Sequence, residues 1–150
     1  MTPRRVSECV GLLILLVLVW TNASAEPSET FMGALASLPA STVDIATMIG
    51  TGSATAVLDG ERLEISGTFD NLGSPATSAR IHRARAGMRG PSILELKVPR
   101  AASGKFEERL VLTPAQILDL KSGWLCIQIG TERHPDGQVR AWLLRIDSPR

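Results

Sequence analysis

Histidine and cysteine, the side chains that most often bind transition metals, are scarce in this sequence. The 150 residues include two histidines and two cysteines. A zinc or copper site generally needs three or four ligands, and nothing in the sequence places carboxylates beside His82 or His134 to complete one. The favoured prediction is therefore a protein without a cofactor, with His82 and His134 as the candidate ligands if copper or zinc is bound.

Motifs of several enzyme classes are also missing. There is no G-x-S-x-G sequence, which would mark a hydrolase nucleophile. His134 and Asp136 lie in one tight turn, so they cannot both aim at a shared serine. Residues 50–52 are too short for a phosphate-binding loop and lack the lysine and helix that follow one. No catalytic residue is predicted, and a non-enzymatic protein is the favoured interpretation.

The first 25 residues have the pattern of a secretory signal peptide. Arg4 and Arg5 form a basic start, Val10–Trp20 is apolar, and Ala23-Ser24-Ala25 is a small-residue cleavage site. The apolar run is shorter than the roughly 20 residues that a membrane-spanning helix needs. We therefore expect residues 1–25 to be removed on export to the periplasm or out of the cell. An uncleaved N-terminal anchor is the alternative.

Removal of the signal peptide would leave residues 26–150 as a single domain with no transmembrane segment. That part of the chain has equal numbers of basic and acidic residues, so its net charge indicates no nucleic-acid partner. Cys126 is the one cysteine in it, and no intrachain disulfide can form. An exported domain without a disulfide must depend on its apolar core.

Alternating apolar and polar residues predict a β-rich fold. Ala54, Ala56 and Leu58 alternate with polar neighbours, as do Leu63, Ile65 and Phe69 after the turn signal Asp59-Gly60, which is typical of a β-hairpin. Further strands are predicted at 31–38, 77–82, 92–98, 105–112, 124–129 and 138–143. Strands at this spacing predict an antiparallel Greek-key β-sandwich or barrel.

One short helix is predicted over residues 113–121. Thr113 can cap its first turn, Pro114 suits the first helical position, and Gln116 completes a capping box. Ile117, Leu118 and Leu120 are predicted to form its apolar stripe, and Gly123 ends it.

Near the C-terminus, His134-Pro135-Asp136-Gly137 is turn chemistry between two predicted strands. We interpret His134, Pro135 and Gly137 as residues that fix the register of this final hairpin. Arg140 lies on the non-core phase of the second strand, where it could stack on Trp142 or reach across the sheet. We predict that Arg140 is structural and holds the hairpin to its neighbour.

Four landmarks make the chain resemble the chordin-type CHRD domain family. They are Ala79-Arg80-Ile81-His82, Gly90-Pro91 before a hydrophobic strand, the helix start at 112–116, and the segment 127–143. The chain is identified as a divergent, bacterial-type exported member. The resemblance implies a Greek-key fold similar in outline to copper-zinc superoxide dismutase, with one short helix near 113–121.

The chain also departs from the pattern of that family. Arg80 stands where the family tends to have a histidine, and Gly130 replaces a second histidine. Gln138 replaces a glutamate and Ala141 a glycine. Fewer imidazoles argue against an inherited metal site.

Basic residues gather in a stretch that has no acidic residue between Asn71 and Leu94. Guanidinium groups bind phosphate, sulfate or carboxylate with two parallel hydrogen bonds. Because residues 26–150 are neutral overall, the favoured interpretation is a solvated loop whose arginines pair with acids elsewhere, for which Glu107, Glu108, Glu132 and Asp136 are the candidates. The candidate anion- or partner-binding residues are Arg80, His82, Arg83, Arg85 and Arg89.

The thiol of Cys126 is the remaining reactive group. Cys126 alternates with Leu125 and Ile127, which we assign to the core, so we predict a half-buried apolar position on the other face. No base or helix N-terminus beside it indicates a nucleophile.

Taken together, the sequence favours an exported, non-enzymatic CHRD-like binding or structural module. Its partner would be an unidentified protein or an anionic polymer of the envelope or extracellular space. The alternative is a copper- or zinc-binding protein, or a metalloenzyme similar to superoxide dismutase.

Overall fold

The structure is a computed structural model that describes residues 27–38 and 49–146. The predicted signal peptide lies outside the described residues. Within them the chain forms nine strands and one helix. Their bounds are β1 Glu29–Ser37, β2 Thr51–Asp59, β3 Arg62–Asp70, β4 Ala76–Arg83, β5 Ser92–Leu96, β6 Gly104–Val111, α1 Pro114–Lys121, β7 Leu125–Thr131, β8 Val139–Trp142 and β9 Leu144–Arg145.

All strands belong to one antiparallel sheet. Its order is β5-β4-β7-β8-β1-β2-β3-β6, and β9 pairs with β1. The two edge strands, β5 and β6, approach each other, so the sheet curls into a nearly closed barrel. The predicted all-β antiparallel fold with one short helix is confirmed, in its barrel form.

The hairpin of β2 and β3 has the register that its apolar alternation predicts. Ala56 pairs with Ile65 and Leu58 with Leu63, and all four side chains are buried. Asp59 pairs with Arg62, so the two-residue loop is Gly60-Glu61, one position later than the predicted Asp59-Gly60. The strand phases are unchanged, because this shift moves only the turn.

The helix begins with the predicted capping box. The Thr113 amide donates to Gln116 Oε1 at 2.9 Å, and the Gln116 amide donates to Thr113 Oγ1 at 3.3 Å. Leu120 is fully buried, whereas Leu118 is 66% exposed. Leu118 therefore does not belong to the apolar stripe as predicted, because a two-turn helix turns only one narrow side towards the sheet.

The core fills the interior of the barrel. Phe31, Phe69, Ile81, Ile127 and Leu143 are among its fully buried side chains. Strand β7 is buried at every position, on both faces. Within residues 27–38 and 49–146, no helix is both long enough and apolar enough to cross a bilayer.

Candidate functional site

The face of β4, β7 and β8 that points away from the core carries two rows of polar and aromatic residues. Pairing across the three strands places the members of each row side by side, because alternate residues of a strand share a face. One row is Arg80, Gln128 and Arg140, and the other is His82, Cys126 and Trp142. We call this set of six residues the outer face.

Residues 84–91, which follow β4, fold back over the outer face and are held there by three side chains. His82 Nδ1 donates to the Gly90 carbonyl at 3.0 Å, Trp142 Nε1 to the Ala84 carbonyl at 3.2 Å, and Arg140 Nη1 to the Met88 carbonyl at 3.0 Å. We call residues 84–91 the arginine loop.

The backbone anchors the same segment. The Arg83 amide donates to the Pro91 carbonyl at 2.9 Å, and the Ala84 amide donates to the Trp124 carbonyl at 2.8 Å. At Gly90 the chain runs against the Arg83 backbone so closely that a side chain would collide with the Arg83 carbonyl. Glycine is therefore required at position 90 for the loop to close.

The arginines that the sequence groups together have different surroundings. Arg83 Nε lies 2.7 Å from Asp119 Oδ2, and Arg80 Nε lies 3.6 Å from Glu95 Oε1. These acids are not among the four predicted partners, and Glu132 pairs instead with Arg100 at 2.7 Å. The prediction of Glu107, Glu108, Glu132 or Asp136 as partners is wrong, because β5 and α1 lie nearer to the cluster.

Arg85 and Arg89 differ from their neighbours. Both side chains are exposed, and neither makes a salt bridge with an acid of the described residues. The Arg85 guanidinium lies 4.8 Å from the centre of the Trp124 ring, and that of Arg83 lies 6.0 Å away. A depression of about 280 Å³ is lined by Arg83, Ala84, Arg85, Pro91 and Trp124.

Arg140 is buried, with 8% of its surface exposed. Its Nε donates to Gln128 Oε1 at 2.9 Å, and its Nη2 donates to the same oxygen. Its guanidinium lies 5.6 Å from the centre of the Trp142 ring. Gln128 Nε2 in turn donates to the Asp136 carbonyl at 2.6 Å. These bonds connect β8, β7, the arginine loop and the final turn, which is the geometry that the predicted bracing role requires.

A cavity of about 350 Å³ opens beside Arg140. Arg140 and Trp142 on β8 line one side, and Gly87 and Arg89 of the arginine loop line another. The rest of the lining comes from the end of β1, where Ala36 is the pairing partner of Arg140. The described residues that line it are Ala36, Ser37, Leu38, Gly87, Arg89, Arg140 and Trp142.

Cys126 lies in the second row of the outer face and is fully buried. The predicted half-buried position is wrong, because the arginine loop covers this face as well. Burial raises the pKa of the Cys126 thiol above 9.0, against the opposing effects of the nearby Arg140 charge and a hydrogen bond from the His82 backbone. A thiol with a raised pKa is protonated at neutral pH and is a poor nucleophile.

The tip of the final hairpin is held by its own hydrogen bonds. Thr131 Oγ1 donates to Gln138 Oε1 at 2.7 Å and accepts from the His134 amide at 3.1 Å. The His134 carbonyl accepts from the Gly137 amide at 3.0 Å. Gly137 has a φ of 121°, a backbone conformation that residues other than glycine rarely adopt.

The two histidines lie at opposite ends of β7. His82 pairs with Cys126 near the start of β7, and His134 follows its last residue, Thr131. Thr131 lies five positions along the strand from Cys126, which is roughly 17 Å. No group of three or more His, Cys, Asp or Glu side chains in the described part of the chain is arranged to hold a metal ion.

The sequence also matches a known family. The CHRD domain family model matches residues 33–143. The chain belongs to the CHRD domain family. The match includes every strand from β2 to β8, so the outer face and the arginine loop lie within the CHRD domain. No curated protein and no solved structure matches the chain.

Several residues of the site in this CHRD domain were not predicted from the sequence. Gln128 lies within the predicted strand 124–129 but had no predicted role, and Trp124 was not linked to Arg85. The cavity beside Arg140 includes Ala36 and Ser37, which are far from Arg140 along the chain. Only the shared phase of Gln128 with Arg140 gave a signal in the sequence. The other contacts depend on the pairing of β8 with β1 and on the path of the arginine loop.

Proposed function

We propose that this CHRD domain is an exported, non-enzymatic binding module that attaches to an anionic polymer through a surface formed by Arg85, Arg89 and Trp124. We call these three residues the loop surface. The observation that carries the proposal is that two exposed guanidinium groups lie on an anchored loop without an acidic partner among the described residues. Sulfate, phosphate and carboxylate groups are the usual partners of such guanidinium groups.

The anchoring of the loop supports this function. Binding is weakened when a flexible segment must be ordered on contact, and a segment that is already held loses less entropy. The arginine loop is held by the side chains of His82, Trp142 and Arg140. The cation–π contact with Trp124, at 4.8 Å from the ring centre, further restricts the Arg85 guanidinium.

The salt bridges of the neighbouring arginines also support it. Arg83 and Arg80 are already paired with Asp119 and Glu95, so a ligand would have to compete with an internal carboxylate there. Arg85 and Arg89 require no such exchange. We therefore assign the binding role to these two, and to Arg80, Arg83 and His82 a structural role in shaping the loop.

The features of the sequence that indicate export are the basic start, the apolar run and the small-residue site of residues 1–25. Polymers rich in sulfate, phosphate or carboxylate are found in the envelope and extracellular space. A non-enzymatic role is supported by the burial of Cys126 and by the separation of His82 from His134.

Heparin-agarose retention tests the loop surface. We expect the double variant Arg85→Ala/Arg89→Ala to elute at clearly lower salt than the unchanged protein, because each guanidinium that contacts a polyanion contributes to the salt dependence of binding. Lys97→Ala/Lys105→Ala is the matched control, since it removes the same charge from exposed positions outside the loop. Equal elution of the two double variants would show that net charge alone governs retention and would refute the loop surface.

A further inference from the structure

The guanidinium of Arg140 is a buried charge whose contacts with the described residues are all neutral. It is 8% exposed, and its hydrogen-bond acceptors are the amide oxygen of Gln128 and the carbonyl of Met88. No salt bridge of the described residues includes it. A buried charge without an opposite charge is costly. Residues 27–38 and 49–146 supply no opposite charge, and an anion beside Arg140 would supply one.

Arg140 also keeps hydrogen-bonding capacity. A guanidinium has five N–H groups, and the bonds to Gln128 and Met88 use one each from Nε, Nη1 and Nη2. One N–H on Nη1 and one on Nη2 are left. The bracing contacts and a ligand contact are therefore compatible, because they use different N–H groups.

The cavity beside Arg140 has the size and charge of a site for a small anion. Its volume of about 350 Å³ is at the lower end of the range for small-molecule sites. Arg89 contributes a second positive charge to its lining, and none of its described lining residues is acidic. Trp142 and Leu38 provide apolar surface for the rest of a ligand.

The thiol of Cys126 is not the missing counter-charge. The positive charge of Arg140 is close enough to lower the pKa of the Cys126 thiol. Burial has the larger effect and raises that pKa above its usual 9.0. The thiol is thus neutral at physiological pH, and it does not compensate the positive charge of Arg140.

We propose that the cavity beside Arg140 binds the oxyanion of a small acidic ligand, which is a carboxylate or a sulfate. The oxygens of this group accept hydrogen bonds from the two remaining N–H groups of Arg140. We call this cavity the Arg140 pocket. It shares Arg89 with the loop surface but uses neither Arg85 nor Trp124. The acidic group belongs either to a free small molecule or to one unit of a polymer, and the chemistry at Arg140 is the same in both cases.

Titration of the full chain labelled with ¹⁵N tests the pocket, with D-glucuronate as the probe and D-glucose as the neutral control. The Arg140 Nε–H and Trp142 Nε1–H resonances report on the site. We expect saturable shifts of both with glucuronate and none with glucose. Ala36→Leu places a larger side chain in the cavity, on an exposed strand position opposite Arg140. We expect it to weaken glucuronate binding by about tenfold or more.

Ala34→Leu is the matched control. Ala34 is exposed on the same strand, two residues away and on the same face, but does not line the cavity. The glucuronate affinity of Ala34→Leu should stay within about twofold of that of the unchanged protein. This difference is well below the tenfold change in affinity that corresponds to about 1.4 kcal/mol. Heparin fragments form a second arm: shifts of the Arg140 resonance with heparin but not with glucuronate identify a polymer unit as the occupant.

Two results would overturn the proposal. One is the absence of saturable shifts of the Arg140 resonance with glucuronate and also with heparin fragments. The other is equal binding by Ala36→Leu and Ala34→Leu, which would place the ligand elsewhere. The two proposals share Arg89, but they are tested by separate measurements. Heparin retention of the arginine variants reports on the loop surface and glucuronate shifts at Arg140 report on the pocket, so the two failures give different results.

Discussion

Cys126 shows how a single residue depends on parts of the chain that are distant in sequence. Its alternation with Leu125 and Ile127 correctly places it on the face opposite the core side chains. That phase says nothing about what covers the face. Full burial comes from the arginine loop, which reaches Cys126 through the pairing of β4 with β7. The phase of a strand is a local property that can be predicted from the sequence. Burial of its second face depends on distant parts of the chain and cannot be predicted in this way.

The raised pKa of Cys126 predicts a loss of stability at alkaline pH. The unfolded thiol ionises near 9.0 while the folded thiol stays protonated, so the unfolded state binds fewer protons than the folded state above that pH. The free energy of unfolding should therefore fall as pH rises from about 9 towards the folded pKa. Urea unfolding in reducing buffer at pH 8 and pH 10 measures the fall.

Cys126→Ala should remove part of that decrease, and Cys9→Ser, which changes the cysteine outside the described residues, should retain it. An identical decrease in Cys126→Ala and the unchanged protein would mean that other groups cause the pH dependence.

At the scale of elements, local chemistry was the reliable guide. The capping box of Thr113 and Gln116 and the two hairpins were predicted because each depends on residues close together in sequence. The arginine loop was placed as a loop, but its contacts with Arg140 and Trp142 join residues that are far apart. No pattern within residues 84–91 shows which strands they will cover.

The bonds of Arg140 predict coupling between β7, β8 and the arginine loop. Arg140→Ala should lower the free energy of unfolding by about 2–3 kcal/mol, because it leaves the buried Gln128 and the Met88 carbonyl without their donor. Urea denaturation followed by circular dichroism measures the change. Arg109→Ala is the control: its exposed pair with Glu64 should contribute no more than about 1 kcal/mol.

A double-mutant cycle tests whether Arg140 and Gln128 act as a unit. Gln128→Ala should destabilise the Arg140→Ala variant less than the unchanged protein, with a difference of about 1 kcal/mol. Additive effects would show that the bond between the two side chains does not couple the strands.

At the scale of the whole molecule, the spacing of strands and turns predicted an antiparallel sandwich or barrel. It did not decide between two packed sheets and one curled sheet. That choice depends on β8, which joins β7 to β1 and so links the two halves of the sheet. A strand of four residues carries too little pattern to reveal its second neighbour.

The positions of the histidines predict the metal content of the whole protein. We expect elemental analysis of purified protein, before and after incubation with copper or zinc and removal of excess metal, to show less than one equivalent bound. His82 uses Nδ1 to hold the Gly90 carbonyl, and His134 lies at the far end of β7. One equivalent of metal that is lost in His82→Asn or His134→Asn would instead support the metal-binding alternative.

The place of β1 in the sheet has a consequence for how the protein comes into being. β1 is the first described strand of the chain, yet its neighbours include β8 and β9, the last two, with Ala36 opposite Arg140 and Phe31 opposite Arg145. A growing polypeptide on the ribosome can form the β2–β3 hairpin early, but the barrel cannot close until its final strands have emerged. Such distant pairings make folding slow. The nascent chain therefore stays open until β8 and β9 have emerged, and an open chain is the state in which an exported protein would enter a translocation channel.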